Sequence, residues 1–227
     1  MLKINLLLKR PEIIRCCLLF ALAVMCFILT VIRYILMGRP SYLFLNWNLL
    51  LAAVPWFISL IISSKFVMEK PKILTALLFF IWLLFFPNAP YIITDLYYLR
   101  NHPERMFWYD LIMILMFAFT GLLSGFFSLD RIKESLTGEL SRVKSAVLTC
   151  ILLFVCAFGV YLGRGLRWNS WEVFLEPRKF FLDVIALFIN PIRNGSIWLF
   201  IFLLGVFLNI TYWTPKIIRK DDHHFYG

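Results

Sequence analysis

Six stretches of the chain are apolar almost without interruption: about Cys16–Ile32, Leu43–Ser64, Ile73–Phe86, Trp108–Leu129, Ser145–Leu162 and Ser196–Trp213. A helix needs about 20 mostly apolar residues to cross the hydrocarbon core of a bilayer, so each reads as a membrane-spanning helix. The third is short because Pro87 stops it, and Lys72 extends it at the other end. A seventh stretch, Phe180–Asn190, is too short to span and holds Asp183; it reads as an interfacial or re-entrant segment. The expected fold is all-α: a polytopic transmembrane helix bundle of about six spans, forming one integral-membrane domain over residues 1–227. Short interfacial or re-entrant segments follow the third and fifth spans, so that 173–194 either lies on the membrane or dips into it.

Within the spans the polar and small positions fall on faces. Ala118, Gly121, Gly125 and Ser128 recur at steps of three and four, with a Gly-x-x-x-Gly pair among them. Small residues on one face let membrane helices approach closely. Asp110 precedes Gly121 by about three turns at 3.6 residues each, so it shares that stripe and faces protein. In the second span Asn48, Ala52, Pro55 and Ser59 form a comparable face, which points Asn48 inward.

Composition narrows the class. Apolar residues make up 62% of the chain, charged residues only 16%, and the mean hydropathy is +0.83. An ordinary soluble domain carries about 45–50% apolar and about 25% charged residues, which excludes a disordered tail, a disulfide scaffold and a typical cytosolic enzyme. The net charge of +10 sets topology rather than indicating nucleic acid, for which no motif is present. Fourteen of the Lys and Arg residues lie in the N-terminal tail, the second and fourth loops and the C-terminal tail; nine lie on the other side. The positive-inside rule therefore puts both termini in the cytoplasm, with the first span an uncleaved signal-like helix. The fifth loop is anomalous: Arg164, Arg167, Arg178, Lys179 and Arg193 all fall on the side that should be poor in cations.

Two polar stretches stand out. Pro87-Asn88-Ala89-Pro90-Tyr91-Ile92-Ile93-Thr94-Asp95-Leu96-Tyr97-Tyr98-Leu99 breaks the third span and frees carbonyls that Asn88 can cap; Asp95 follows in an apolar, aromatic run where a carboxylate must find donors. As helix punctuation, Thr94 or Asp95 starts an interfacial helix anchored by Tyr97 and Tyr98. Gly163-Arg164-Gly165-Leu166-Arg167-Trp168-Asn169-Ser170-Trp171-Glu172 is the second. If helical, it stacks Arg164 toward Trp168 and Arg167 toward Trp171. As an interfacial element, it snorkels its cations and caps a helix with Asn169 and Glu172. In a six-span topology Asn48, Asn88, Asp95, Asp110, Arg164, Arg167 and Glu172 share the extracytoplasmic side. The natural pairs are Asp95 or Asp110 with Arg164 or Arg167. The candidate catalytic carboxylates are Asp95, Asp110 and Glu172. The candidate ligand-binding residues are Asn48, Asn88, Arg164, Arg167, Trp168, Asn169 and Trp171.

These stretches, with Asn46-Trp47-Asn48 and Trp108-Tyr109-Asp110, resemble a family of bacterial multi-pass membrane proteins, domain of unknown function 1361, from Leu43 to Trp213. The resemblance implies a bacterial cytoplasmic (inner) membrane and one intact domain, and brings no activity with it. No G-x-S-x-G, H-E-x-x-H, P-loop or Rossmann glycine pattern occurs, and an intramembrane aspartyl protease would need the missing Gly-x-Gly-Asp. His102, His223 and His224 are too scattered for a metal site, and Cys16, Cys17, Cys26, Cys150 and Cys156 suit apolar packing. The sequence calls for no metal and no cofactor. Besides the lipid bilayer, the expected partner is a lipid-linked or anionic envelope molecule, bound or processed at the extracytoplasmic site. The alternatives are a structural or assembly partner of another membrane protein, and a small-solute transporter.

Overall fold

All six apolar stretches are helical in the computed structural model, which describes residues 11–64, 67, 71–101, 106–136, 141–189 and 194–225. The elements are α1 (Pro11–Met37), α2 (Phe44–Ile62), α3 (Lys72–Phe85), α4 (Asn88–Tyr91), a 3₁₀ helix (Ile92–Asn101), α5 (Phe107–Leu136), α6 (Arg142–Arg164), α7 (Glu172–Leu175), α8 (Pro177–Ile189) and α9 (Gly195–Phe225). Six helical runs are long and apolar enough to cross a membrane, and no strand occurs among the described residues. Of the residues weighed above, Lys3, Lys9, Arg10, Lys65, Lys70, His102, Arg105, Asn190 and Arg193 lie outside the described residues. So do the side chains of Arg219, Lys220, His223 and His224. The chain falls into two compact units, Met1–Ile132 and Lys133–Gly227, each with its own internal packing.

In the first unit the small-residue stripe of α5 is buried as its spacing requires: Asp110, Ala118, Gly121, Gly125 and Ser128 all face protein. What it packs against is the broken end of the third span. A Cβ placed on Gly121 would come within 2.6 Å of the Ala89 carbonyl oxygen, and one on Gly125 within 2.6 Å of the Ala89 Cβ. The two signals, the glycine pair and the Pro-Asn-Ala-Pro turn, are thus halves of one contact. Neighbouring hydroxyls lock it, with Ser124 donating to the Ala52 carbonyl at 3.1 Å and Trp82 Nε1 donating to Ser128 at 3.2 Å.

Pro87 redirects the third span instead of ending it. After α3 the chain makes a two-residue turn, passes through the single turn of α4 and continues as a ten-residue 3₁₀ helix. Asn88 Nδ2 donates to the Phe85 carbonyl at 3.0 Å, the bridging role its position suggested. Thr94 and Asp95 do not start a helix, as punctuation would have them do; they lie inside the 3₁₀ run, with Thr94 bonded to its own preceding turn at Tyr91. Such a run is long for this geometry, where more than three or four residues is uncommon. Its register against α2 accounts for it. Three residues of 3₁₀ helix rise about 6 Å, as do four residues of α-helix. Tyr98, Asp95 and Ile92 therefore climb in step with Phe44, Asn48 and Ala52: the Tyr98 and Phe44 rings lie 5.0 Å apart, and Asn48 bonds Asp95.

In the second unit α6 and α9 pack through Phe154 with Phe202 and Phe158 with Trp198, close enough that a Cβ on Gly205 would overlap the Phe154 ring. Helix α8 joins them by its end: Leu187 is buried, and Phe188 wedges against Phe158 and Trp198 with the latter ring 4.9 Å away. All five cysteines are free, and Cys26 and Cys156 are buried.

Replacing Gly121 by Ala forces α5 away from backbone and should destabilise the protein by about 1–3 kcal/mol, the usual cost of overpacking. Gly195→Ala, where an added Cβ meets nothing within 4 Å, should be close to neutral. Thermal unfolding of both variants in one detergent checks the contrast.

Candidate functional site

One group of polar residues in the first unit gathers at the end where α1 leaves its span. The Leu19, Cys26, Thr30 and Arg33 positions recur at steps of seven, four and three, and all four are buried. Arg33 is therefore carried inward on the packed face of α1. Its Nε donates to Asp110 Oδ1 at 2.9 Å and its Nη2 to Oδ2 at 3.2 Å, a two-point pair at 4% and 1% residue exposure. Tyr42 covers the guanidinium, whose carbon sits 5.1 Å from the ring centroid. Burial, aided by the Asp110 charge, pushes the Tyr42 hydroxyl above its ordinary range, so it remains neutral. Around this pair Tyr109 donates to the Leu29 carbonyl at 2.7 Å, and Asn46 donates to Thr30 at 3.0 Å.

Asp95 is fully buried and accepts from Asn48 Nδ2 at 2.9 Å. The structure thus unites Asn48 with Asp95 as two of the candidate residues. It also gives Asp110 the arginine that the sequence led us to expect, but as Arg33, from the same unit. Arg33 escaped because a charge at the edge of an apolar run reads as loop. The signal that finds it is the heptad-like spacing of Leu19, Cys26, Thr30 and Arg33. Arg131, which hydropathy alone assigns to the fourth loop, is hidden in the same way. It is buried within α5 and pairs with Glu12 at the start of α1.

The second unit holds the other candidates. Helix α6 ends at Arg164, and the stretch to Trp171 is not helical, so the i,i+4 helical spacing on which the expected arginine–tryptophan stacking rested is absent. Instead the Trp168 N–H donates back to the Leu162 carbonyl, six positions earlier, at 3.1 Å, with Arg167 at φ 61°. This closure is one position wider than the Schellman bond, but like that helix stop it carries a left-handed residue just before the donor, a position usually filled by glycine. A non-glycine residue there costs about 1–2 kcal/mol. Arg167 is exposed and has no ion-pair or hydrogen-bond partner among the described residues.

The next residues are held firmly. Trp168 Nε1 donates to Asp183 Oδ2 at 3.0 Å, its ring meets Phe180 edge-on at 5.4 Å, and the Lys179 ammonium stands 5.3 Å from its centroid. This explains an aspartate inside the apolar α8. Glu172 reaches back to accept from the Asn169 N–H at 2.7 Å, as expected of a capping box, but α7 begins at Glu172 itself, with Trp171 rather than Asn169 as its N-cap and no side-chain cap bond there. The bond from Asn169 holds the Glu172 carboxyl below its usual range. A depressed folded-state pKa means the bond is fully formed above the ordinary carboxylate range and is lost as pH falls through the lowered value. Trp171 is 40% exposed, and Asn169 is exposed. Among the described residues no group of three His, Cys, Asp or Glu could hold a metal ion.

Six membrane-length helices with charges paired inside the first bundle define a multi-pass helical membrane protein. A family model described as protein of unknown function (DUF1361) matches residues 47–211, and the chain belongs to that family. No curated protein and no solved structure matches it.

If Arg33 and Asp110 serve the fold, removing either alone should cost about 3–5 kcal/mol by stranding a buried charge, whereas an apolar replacement of both should recover most of that loss. Unfolding of Arg33→Met, Asp110→Leu and the double variant measures the coupling. A double variant no more stable than the singles would remove the structural assignment.

Proposed function

We propose that the protein binds an anionic, lipid-linked or envelope molecule at the extracytoplasmic face of a bacterial cytoplasmic membrane, with both termini in the cytoplasm. The observation that carries this reading is Arg167: an exposed, unpartnered guanidinium held in a conformation that glycine would adopt more cheaply. Strain of this kind concentrates where a side chain is needed for function. Guanidinium is the side chain best suited to grip phosphate or carboxylate at two points.

The surroundings fit a headgroup. Helix α8 leaves Phe181, Leu182, Ile185, Phe188 and Ile189 between 51% and 67% exposed, on a helix too short to span, with Arg178 and Lys179 at its start. Phe158, where α8 is anchored, lies six residues and roughly 9 Å of helix rise from the end of α6. That depth agrees with the roughly 5–10 Å at which an amphipathic helix rests below the headgroups. The excess of cations in this loop, which opposes the positive-inside rule, then has a cause in ligand charge. Binding is better supported than catalysis. Asp110 is bonded at both oxygens, Asp95 is fully buried, and Glu172 is committed to a backbone bond that favours its ionised form, so no candidate carboxylate is poised as a general base.

Arg167→Gly separates function from folding, because it relieves the left-handed strain and should melt at or above the wild-type temperature. Lipids and envelope polymers from a deletion strain would be compared by mass spectrometry with those from wild-type and Arg167→Gly complements of matched membrane abundance. The expected result is an anionic species altered in the deletion, restored by wild type and not by Arg167→Gly. Full restoration by the variant would sink the ligand role. Identical profiles throughout would turn attention to assembly with another membrane protein, tested by co-purification.

A further inference from the structure

Left-handed backbone at a residue other than glycine persists only where its surroundings over-determine it, so the φ of 61° at Arg167 requires restraints on both sides. Before it, the Gly165 N–H donates to the Tyr161 carbonyl at 2.7 Å and ties the chain to the end of α6. After it, Trp168 is held twice. Its backbone N–H donates to the Leu162 carbonyl at 3.1 Å, and its indole N–H to Asp183 Oδ2 at 3.0 Å. The Glu172 bond to the Asn169 N–H is a local clasp, only three residues long, that travels with the loop. Asp183 is fifteen residues away on a separate helix, and it restrains the loop from outside.

Helix α8 is a firm base for that restraint. Phe180, Asp183, Val184 and Leu187 share one face of it at helical spacing. Leu187 is buried, and Phe188 beside it packs on Phe158 of α6 and Trp198 of α9. From Phe180 to Ile189 every residue except Asp183 is apolar, and a carboxylate in such a stretch works against its burial at a membrane interface. Lys179, one turn earlier, does not offset that charge: its ammonium pairs with Glu176 at 3.3 Å and stands over the Trp168 ring. An apolar residue at 183 would suit α8 better. What the aspartate supplies is the acceptor for Trp168.

We infer that Asp183 is a positioning residue for Arg167: through its bond to Trp168 it ties the strained backbone of the arginine to the first two turns of α8. The inference rests on the ligand role proposed for Arg167.

The test has two arms. In the first, hydrogen exchange of the full chain in nanodiscs is read by mass spectrometry at single amides. In Asp183→Leu the Trp168 N–H should exchange about tenfold faster, the scale of one lost hydrogen bond, while the α8 amides from Ala186 to Ile189 keep their wild-type rates. Asp183→Asn, which keeps an acceptor oxygen, should exchange as wild type does. In an Arg167→Gly background, where the backbone needs no support, Asp183→Leu should change the Trp168 rate far less. A purely structural role for Asp183 would give the same change in both backgrounds and overturns the inference. In the second arm the deletion strain is complemented at matched abundance, and the altered envelope species should be restored by Asp183→Asn and not by Asp183→Leu. Should Asp183→Leu fail to accumulate, Trp168→Phe takes its place, removing the indole N–H while keeping a ring against Phe180. Unchanged exchange at Trp168 overturns the inference whatever Arg167 does. Restoration by Asp183→Leu where Arg167→Gly fails also overturns it, and leaves the ligand role of Arg167 standing. Restoration by Arg167→Gly removes that role and the inference with it.

Discussion

The register between α1 and α5 is the constraint on which the first unit depends, and it is set by charge. Glu12 and Arg33 lie twenty-one residues apart on α1; Asp110 and Arg131 lie twenty-one apart on α5. Running in opposite directions, the helices bring Arg33 to Asp110 at one end and Glu12 to Arg131 at the other. Twenty-one residues span roughly 32 Å of helix, close to the hydrocarbon thickness of about 30 Å. The pairs sit where the membrane would otherwise leave charges unsolvated, and an axial slip by one turn would separate both. Hydrophobic packing against lipid cannot specify such a register, since tails solvate any apolar face equally well.

With those helices fixed, the polar chemistry of the broken third span becomes a packing problem with one solution. Gly121 and Gly125 admit Ala89 against the α5 backbone, and this draws the following residues across α2. An α-helical continuation would rise about 4.5 Å in three residues and fall out of step with the 6 Å repeat of Phe44, Asn48 and Ala52. The 3₁₀ helix stays in step and delivers Asp95 to Asn48. The unusual geometry thus serves to satisfy a buried carboxylate, where an unsatisfied one would be far more costly than the poorer 3₁₀ hydrogen bonds.

Much of this was legible in the chain, because membrane spans announce themselves by hydropathy and their inner faces by small residues at steps of three and four. The Ala118–Ser128 stripe, the inward Asp110, the capping by Asn88 and the reach of Glu172 to Asn169 were all readable. What escaped has a common physical origin. Hydropathy ends a span at its first charge, so Arg33 and Arg131, which continue their helices and are paired inside them, look like loop residues. The Tyr98, Asp95 and Ile92 repeat is visible only once the 6 Å repeat of α2 is known. The left-handed Arg167 carries no local signal, since the glycine that would ordinarily mark the stop stands two residues earlier, at Gly165.

The two units use arginine in opposite ways. Arg33 is covered by Tyr42 and bonded at two points, and Arg131 is bound to Glu12; each is held in place by charge that the fold itself supplies. Arg167 follows a helix that has already stopped, in strained backbone, with its guanidinium exposed. Its neighbours are not similarly loose. Trp168 is fixed by Asp183, Phe180 and Lys179, and Glu172 clasps the Asn169 N–H, so the backbone on which Arg167 stands is rigid although its side chain is not engaged. A fold needing only a helix stop there would be more stable with glycine. A firmly bonded frame around an exposed cation that the fold does not use is the setting that the proposed ligand role requires.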